Sequence, residues 1–110
     1  ETGLIAMTHR NVWIDSCWLP TANFTMSKRA FKEWLDMVPS NRILWGSDMV
    51  TPEGIYGATI FARRALAEVL TEKVASAELR EEDAHRIGRQ IMRENALELF
   101  PALRKLLWRE

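Results

Sequence analysis

Two segments of the sequence place a carboxylate directly after a run of bulky apolar residues. Residues 43–45 are followed by Gly-Ser and then Asp48, and residues 12–14 are followed by Asp15. A carboxylate can transfer protons and is a hard oxygen ligand for cations. From the pattern alone, an aspartate that caps the next helix or stabilises a turn is the favoured interpretation of Asp48, and a functional acid is the alternative.

The hydropathy pattern around these acids predicts two strands separated by a helix. Strands are expected at 11–18 and 42–48, helices near 27–38, 57–77, 80–94 and 96–108, and loops at 20–25 and 49–57. Ser27 is the expected cap of the first of these helices. Strands joined by a crossover helix should be parallel, with a right-handed connection. Their polar ends then share one edge, the edge where α/β proteins place their sites.

Composition indicates an ordinary globular protein without a strongly charged partner. The 110 residues contain 15 basic and 15 acidic side chains, which argues against a nucleic-acid footprint. No apolar run is long enough for a membrane span, and no signal peptide is evident. The single cysteine, Cys17, is expected to be a buried strand residue, and a cytoplasmic location is the default expectation.

Three further residues near the polar ends could contact a substrate. Asp15 could position a substrate, although bonding to nearby backbone amides is the favoured interpretation. Trp18 could line a pocket or simply pack. Glu53 lies in the predicted 49–57 loop, where it could bind substrate or cap the following helix. Gly54 and Gly57 are expected to give that loop flexible or positive-φ backbone.

The sequence indicates a piece of a larger domain. It begins at Glu1 without an initiator methionine, and it contains only two strong strand candidates. Two parallel strands do not form a stable sheet alone, because parallel sheets are normally covered on both faces.

Three segments resemble the C-terminal part of the amidohydrolase superfamily, in its amidohydrolase-related branch. They are NVWIDSCW, VPSNRILWGSD and EEDAHRIGRQIMRENALELF, and the resemblance extends over roughly residues 3 to 103. Members of this branch are metal-dependent hydrolases and decarboxylases built on an eight-stranded β/α barrel. The resemblance implies that residues 1–110 form the last two β/α units of a TIM-type barrel plus its closing helices, with 11–18 and 42–48 as the seventh and eighth strands.

The resemblance also implies a chemistry for Asp48. In the family, the acid at the end of the eighth strand contacts a divalent cation, here expected to be zinc or manganese. It takes a proton from the water that the metal activates and returns it to the leaving group. The remaining ligands, a His-x-His pair and further histidines, would lie before Glu1, so the fragment is expected to be inactive alone. His9 and His85 are expected to be solvated residues.

Several functions stay open at this point. The parent protein is expected to be a hydrolase acting on a small molecule, and a decarboxylase of the same branch would use the same aspartate. A non-catalytic α/β piece whose helices bind a partner is the alternative from another class. A phosphatase-like fold with magnesium at Asp48 is weaker, since no nucleophilic aspartate follows an early strand. The expected partners are the rest of the barrel upstream of Glu1 and, as an open option, a second copy, but no nucleic acid or membrane.

Overall fold

The computed structural model describes residues 1–107, in which helices surround a small sheet. In chain order the elements are α1 (Thr2–Thr8), β1 (Ile14–Asp15), α2 (Leu19–Ala22), α3 (Phe24–Met37), a 3-10 turn (Ser40–Arg42), β2 (Ile43–Leu44), α4 (Pro52–Ala75), α5 (Glu81–Arg89), a π-helical turn (Gln90–Glu94), α6 (Asn95–Leu99) and α7 (Pro101–Leu107). This mixture of helices with strands is compatible with part of an α/β fold.

The two strands pair in parallel, which confirms the pairing predicted from the helix between them. Ile14 lies opposite Ile43, and Asp15 lies opposite Leu44. Because the register aligns the two apolar runs, the polar residues that follow them leave the sheet at the same edge.

Both strands are shorter than the predicted segments 11–18 and 42–48. Within residues 1–107 each strand has only the other as a neighbour, so little of either segment gains ladder hydrogen bonds. Pairing nevertheless continues loosely beyond β1, where the amides of Ser16 and Trp18 donate to carbonyls of the second segment at 3.1 and 3.3 Å.

A single core joins the sheet to the helices. Ile14 and Ile43 are almost completely buried in it, together with Phe31 of α3. The same core includes Ala6 of α1 and Val38 after α3, together with residues of α4, α5 and the π-helical turn, which are Ala65, Leu66, Val69, Leu70, Ile87 and Ile91. Since the helices cover Ile14 and Ile43, the opposite side of β1 is the more exposed one and presents Asp15 to solvent, although its cross-strand neighbour Leu44 is buried.

The start of α3 differs from the prediction in two ways. Residues 20–25 were predicted to be a loop, but Leu19–Ala22 forms a helical turn. The cap of α3 is Asn23, whose side chain accepts from the amide of Met26 at 2.9 Å. The predicted cap, Ser27, is buried inside the helix and donates to a carbonyl one turn back.

Helix α4 begins earlier than predicted, so the expected 49–57 loop is wrong over most of its length. Thr51 caps the helix by accepting from the amide of Gly54 at 3.1 Å, and Pro52 occupies the first turn. Gly54 and Gly57 are therefore helical, and no glycine among residues 1–107 has a positive φ.

The C-terminal segments are helical as predicted. The predicted 80–94 helix is α5 followed by a π-helical turn, and the predicted 96–108 segment forms two short helices, α6 and α7, with the break at Pro101 that the proline predicts. Residue 108 lies outside the described residues. None of the helices within residues 1–107 combines the length and apolar character that a membrane crossing needs.

The Arg42 side chain links α1 and the segment after it to the 3-10 turn that precedes β2. Its Nη1 donates to the carbonyls of Ala6 and His9, each at 2.9 Å, and to that of Val12 at 3.2 Å. We expect Arg42→Ala to lower the free energy of unfolding by about 1–3 kcal/mol, because it removes charge-assisted hydrogen bonds. Urea unfolding measures this change. Arg10→Ala, at an exposed position, should leave stability unchanged, and an equal loss in both variants would contradict the assignment.

Lys73 joins α3, α4 and the turn after α4. The side chain is nearly inaccessible to solvent, and its Nζ donates to carboxylates of Asp36 and Glu78. Burial alone would lower the pKa of Lys73, but the two acids outweigh burial and raise the pKa. The hydrogen bond from Lys73, followed by one from Ser76, lowers the pKa of Glu78.

This arrangement predicts a stability that falls at both pH extremes. Because folding lowers the pKa of Glu78, its contribution is present above the ordinary carboxyl pKa and is lost as pH falls through the folded value. Because folding raises the pKa of Lys73, its contribution is lost as pH rises through that raised value. Urea unfolding across pH should show a flatter profile for Lys73→Met than for Lys105→Met, a change at an exposed position of α7. Identical profiles would contradict the prediction.

Candidate active site

The exposed face of the sheet presents Asp15 beside Cys17. Burial alternates along this segment, with Ile14 and Ser16 buried and Asp15 and Cys17 exposed. Residues two apart on an extended segment share a face. Asp15 and Cys17 therefore lie on the face that the helices leave open, at the carboxyl edge of the strands.

Gly46 forms the floor beneath these two side chains. A Cβ built at Gly46 would lie 3.7 Å from Oδ2 of Asp15 and 3.8 Å from Sγ of Cys17. The two side chains thus lie over the backbone of the second segment, and the glycine leaves space next to them. Asp15 and Cys17 of the first segment thus meet Gly46 of the second segment, which lies two positions before Asp48.

Cys17 was predicted to be buried, and that prediction is wrong, because the residue is exposed. Its pKa is nevertheless raised, first by partial desolvation and then by the negative charges of Asp15 and Asp48. The thiol therefore stays protonated at neutral pH. Residue types gave no clear signal for this exposure, because the polar Ser16 and not Cys17 takes the buried position.

Asp48 lies at the end of the second segment in an unusual backbone conformation. Its φ is 52°, in the left-handed region that costs energy for a residue other than glycine. The side chain is exposed, and within residues 1–107 it forms no hydrogen bond or ion pair. It does not cap α4, because Thr51 performs that role. The capping alternative for Asp48 is thereby removed.

Trp18 ends the first segment in a similar conformation. Its φ is 61°, and its side chain is 54% exposed. For a bulky residue this conformation is a true outlier, so the surrounding structure must impose it. The indole therefore stands at the same edge of the sheet as Asp48, in solvent and not packed in the core.

Glu53 is not placed where the sequence predicted. It lies in the first turn of α4 and not in a covering loop, and it is exposed. A carboxylate in this position stabilises the positive end of the helix dipole. Nothing in the structure brings Glu53 to Asp15 or Cys17.

The described residues do not form a complete metal site. No cluster of three or more potential ligand side chains occurs within residues 1–107. The histidines lie elsewhere, His9 at the end of α1 against Thr8 and His85 on α5 near Glu81. Asp48 fits as one oxygen ligand, since its carboxylate is exposed and unpaired in the described part of the chain. The other ligands of a cation would have to come from outside these residues.

The parallel strand pair surrounded by helices is compatible with part of an α/β fold. A family model described as amidohydrolase matches residues 2–102, so the chain belongs to the amidohydrolase family. It is therefore a member of a hydrolase family, and its parent protein is expected to be an enzyme. No curated protein and no solved structure gives a significant match to the chain.

Proposed function

We propose that this chain is the C-terminal part of a metal-dependent hydrolase barrel and that Asp48 is the acid/base of its reaction. One observation carries the proposal. Asp48 is held at φ 52° at the carboxyl edge of the parallel strands, while Thr51 caps the helix that follows. Backbone strain of this kind concentrates at functional sites. Membership of the amidohydrolase family over residues 2–102 supports the assignment.

The open face of the sheet supports the barrel portion of this proposal. Asp15 and Cys17 are exposed on a face of a parallel sheet, although parallel sheets are normally covered on both sides. Further strands beside β1 and β2 would enclose these side chains and Gly46. The remainder of the barrel would then also supply the ligands that the described residues lack.

In this function the Asp48 carboxylate moves a proton. It accepts a proton from the water that attacks the substrate carbonyl and returns that proton to the leaving group. A divalent cation of the kind the family usually uses would supply Lewis acidity at the same place, with Asp48 as one ligand. The exposed, unpaired carboxylate suits both tasks, because no protein cation competes for its oxygens within residues 1–107.

Asp15 and Trp18 are proposed to contact the substrate. Asp15 shares the open face with Cys17, and the exposed indole of Trp18 offers an apolar surface at the rim. Because the thiol of Cys17 stays protonated, it is a small neutral group beside Asp15 and adds no negative charge there. Glu53 is no longer favoured as a substrate ligand, since it serves the start of α4.

The test uses the full gene product that contains this chain. Titration with Zn²⁺ and Mn²⁺ should show one tight site per chain, and hydrolysis of nitrophenyl esters and acyl anilides should disappear with a chelator and return with the cation. A full gene product that binds neither cation would overturn the proposal. Cation-dependent release of carbon dioxide from carboxylate substrates, without ester or anilide hydrolysis, would assign the decarboxylase alternative instead.

A further inference from the structure

The connection between the second strand segment and α4 is short. Residues 49–51 alone separate Asp48 from Pro52, where α4 begins. Each residue extends the chain by at most about 3.6 Å, so a connection of this length has little slack. A displacement at the start of α4 is therefore transmitted to the backbone of Asp48.

Hydrogen bonds hold this connection only near its two ends. Before it, the carbonyl of Gly46 accepts from an amide of the first segment at 3.3 Å. At its other end, the Thr51 hydroxyl accepts from the amide of Gly54 at 3.1 Å. Residues 47–50 form no hydrogen bond with any residue of the described segment 1–107. Asp48 nevertheless keeps a φ of 52°, a conformation that persists only where the surroundings impose it. Among the described residues, packing is left to hold it.

Gly54 lies in close contact with this connection. A Cβ built on Gly54 would lie 3.0 Å from Oγ1 of Thr51 and 3.2 Å from Cβ of Met49. Carbon atoms in optimal contact lie about 3.5–4.0 Å apart, so a methyl group does not fit there without a shift. The Cβ of Met49 is attached to the backbone and cannot rotate away. An added methyl group would therefore move the backbone next to Asp48.

Gly57 lies three residues further along α4 and has no such contact. A Cβ built there meets nothing among residues 1–107 within 4 Å. Alanine fits at this position, and helix propensity favours alanine over glycine in a helix. The two glycines share one helix and differ in their contact with the connection, so Gly57 is the matched control for Gly54.

We propose that Gly54 is a positioning residue for the Asp48 carboxylate. Its missing side chain lets the first turn of α4 pack directly on Met49 and on the capping hydroxyl of Thr51. This packing holds the backbone of Asp48 in its left-handed conformation and thereby sets the direction of the carboxylate. The inference rests on the proposed function, since Gly54 acts through Asp48 and not on the substrate.

Gly54→Ala in the full gene product should lower kcat for ester hydrolysis at least tenfold, with little change in KM. The reason is that a misplacement of about 1 Å can cost about 10²-fold in rate. Gly57→Ala should leave kcat unchanged and raise the midpoint of urea unfolding, because alanine is the better helix former. A fully active Gly54→Ala protein, or an equal loss of kcat in both variants, would overturn the proposal.

A double-mutant cycle separates positioning from a general loss of stability. If Gly54 acts through Asp48, Gly54→Ala should cause no further loss of kcat once Asp48→Asn is present. A merely structural role predicts the same fold loss of kcat with and without Asp48→Asn. That second result would contradict the assignment.

Urea unfolding of the full gene product gives a readout that does not depend on catalysis. Asp48→Gly should raise the unfolding midpoint, because glycine removes the cost of the left-handed conformation. With Gly54→Ala present, the backbone of Asp48 relaxes, and the gain from Asp48→Gly should disappear. An equal gain with and without Gly54→Ala would show that Gly54 does not impose the conformation.

Thr51 keeps the proposal testable if Gly54→Ala does not fold. Thr51→Ala removes the capping hydroxyl without adding volume and should lower kcat, whereas Thr51→Ser keeps the hydroxyl and should retain kcat. Equal kcat in these two variants would overturn the proposal. Full activity in Asp48→Asn would instead overturn the proposed function, so the two failures are distinguishable.

Discussion

Asp48→Asn in the full gene product should reduce kcat for ester hydrolysis by about 10²–10⁴-fold while the protein stays folded. That range is what a positioned acid/base contributes to a reaction. Asparagine has nearly the same shape as aspartate, and it is among the few residues that tolerate a positive φ. The backbone at φ 52° can therefore be kept, and the variant loses the ability to accept a proton. Steady-state kinetics together with thermal unfolding measure both effects.

Two companion variants separate chemistry from backbone strain. Asp48→Gly should also lose activity but should gain stability, because glycine removes the cost of the left-handed conformation. Asp15→Asn should mainly raise KM, since Asp15 is proposed to contact substrate and not to transfer the proton. Full activity in Asp48→Asn would exclude Asp48 as the acid/base, and an Asp15→Asn loss of kcat larger than that of Asp48→Asn would transfer the role to Asp15.

The common edge of the two acids could be predicted from the sequence. In both segments bulky apolar residues give way to polar ones, and a helix lies between the segments, so parallel pairing follows from chain connectivity. The structure confirms that pairing by placing Ile14 opposite Ile43 and Asp15 opposite Leu44. The shared edge was therefore predictable from local pattern and chain connectivity, whereas the exposure of Cys17 at that edge was not.

The start of α4 was missed although the signal was present. Thr51 followed by Pro52 is the combination of a capping hydroxyl and a proline in the first turn. The two glycines that follow suggested a loop, but the cap and the packing of the later turns outweigh the modest cost of glycine in a helix. Glu53 was predicted to lie in a loop at the site, but it therefore lies in the first turn of α4.

The conformation of Trp18 could not have been predicted. Positive φ is usually signalled by glycine, asparagine or aspartate, so Asp48 carried a weak signal and Trp18 carried none. Both residues lie just beyond a paired segment, Trp18 directly before α2 and Asp48 in the connection to α4.

Asn95 holds the C-terminal helices against the second strand. The residue is 1% exposed, and its Nδ2 donates to the carbonyls of Ser40 and Ile43, each at 2.7 Å. The π-helical turn Gln90–Glu94 directly precedes it. One amide group thus satisfies one backbone acceptor in the 3-10 turn and one in β2, and no other side-chain donor reaches either acceptor within residues 1–107.

Asn95→Leu should therefore lower the free energy of unfolding by about 1–4 kcal/mol, because it leaves the buried carbonyl of Ile43 without a donor, at about 1–3 kcal/mol, and removes a further hydrogen bond to the part-buried carbonyl of Ser40. Asn95→Asp should be worse at neutral pH, since a carboxylate would face two carbonyl oxygens. Folding would raise the pKa of that aspartate, so its stability relative to wild type should recover as pH falls and be lost as pH rises through the folded pKa. Urea unfolding at several pH values measures both variants, with Asn41→Leu, at an exposed position, as control. An Asn95→Leu protein as stable as the control would show that water replaces the lost donor and that Asn95 does not anchor the helices.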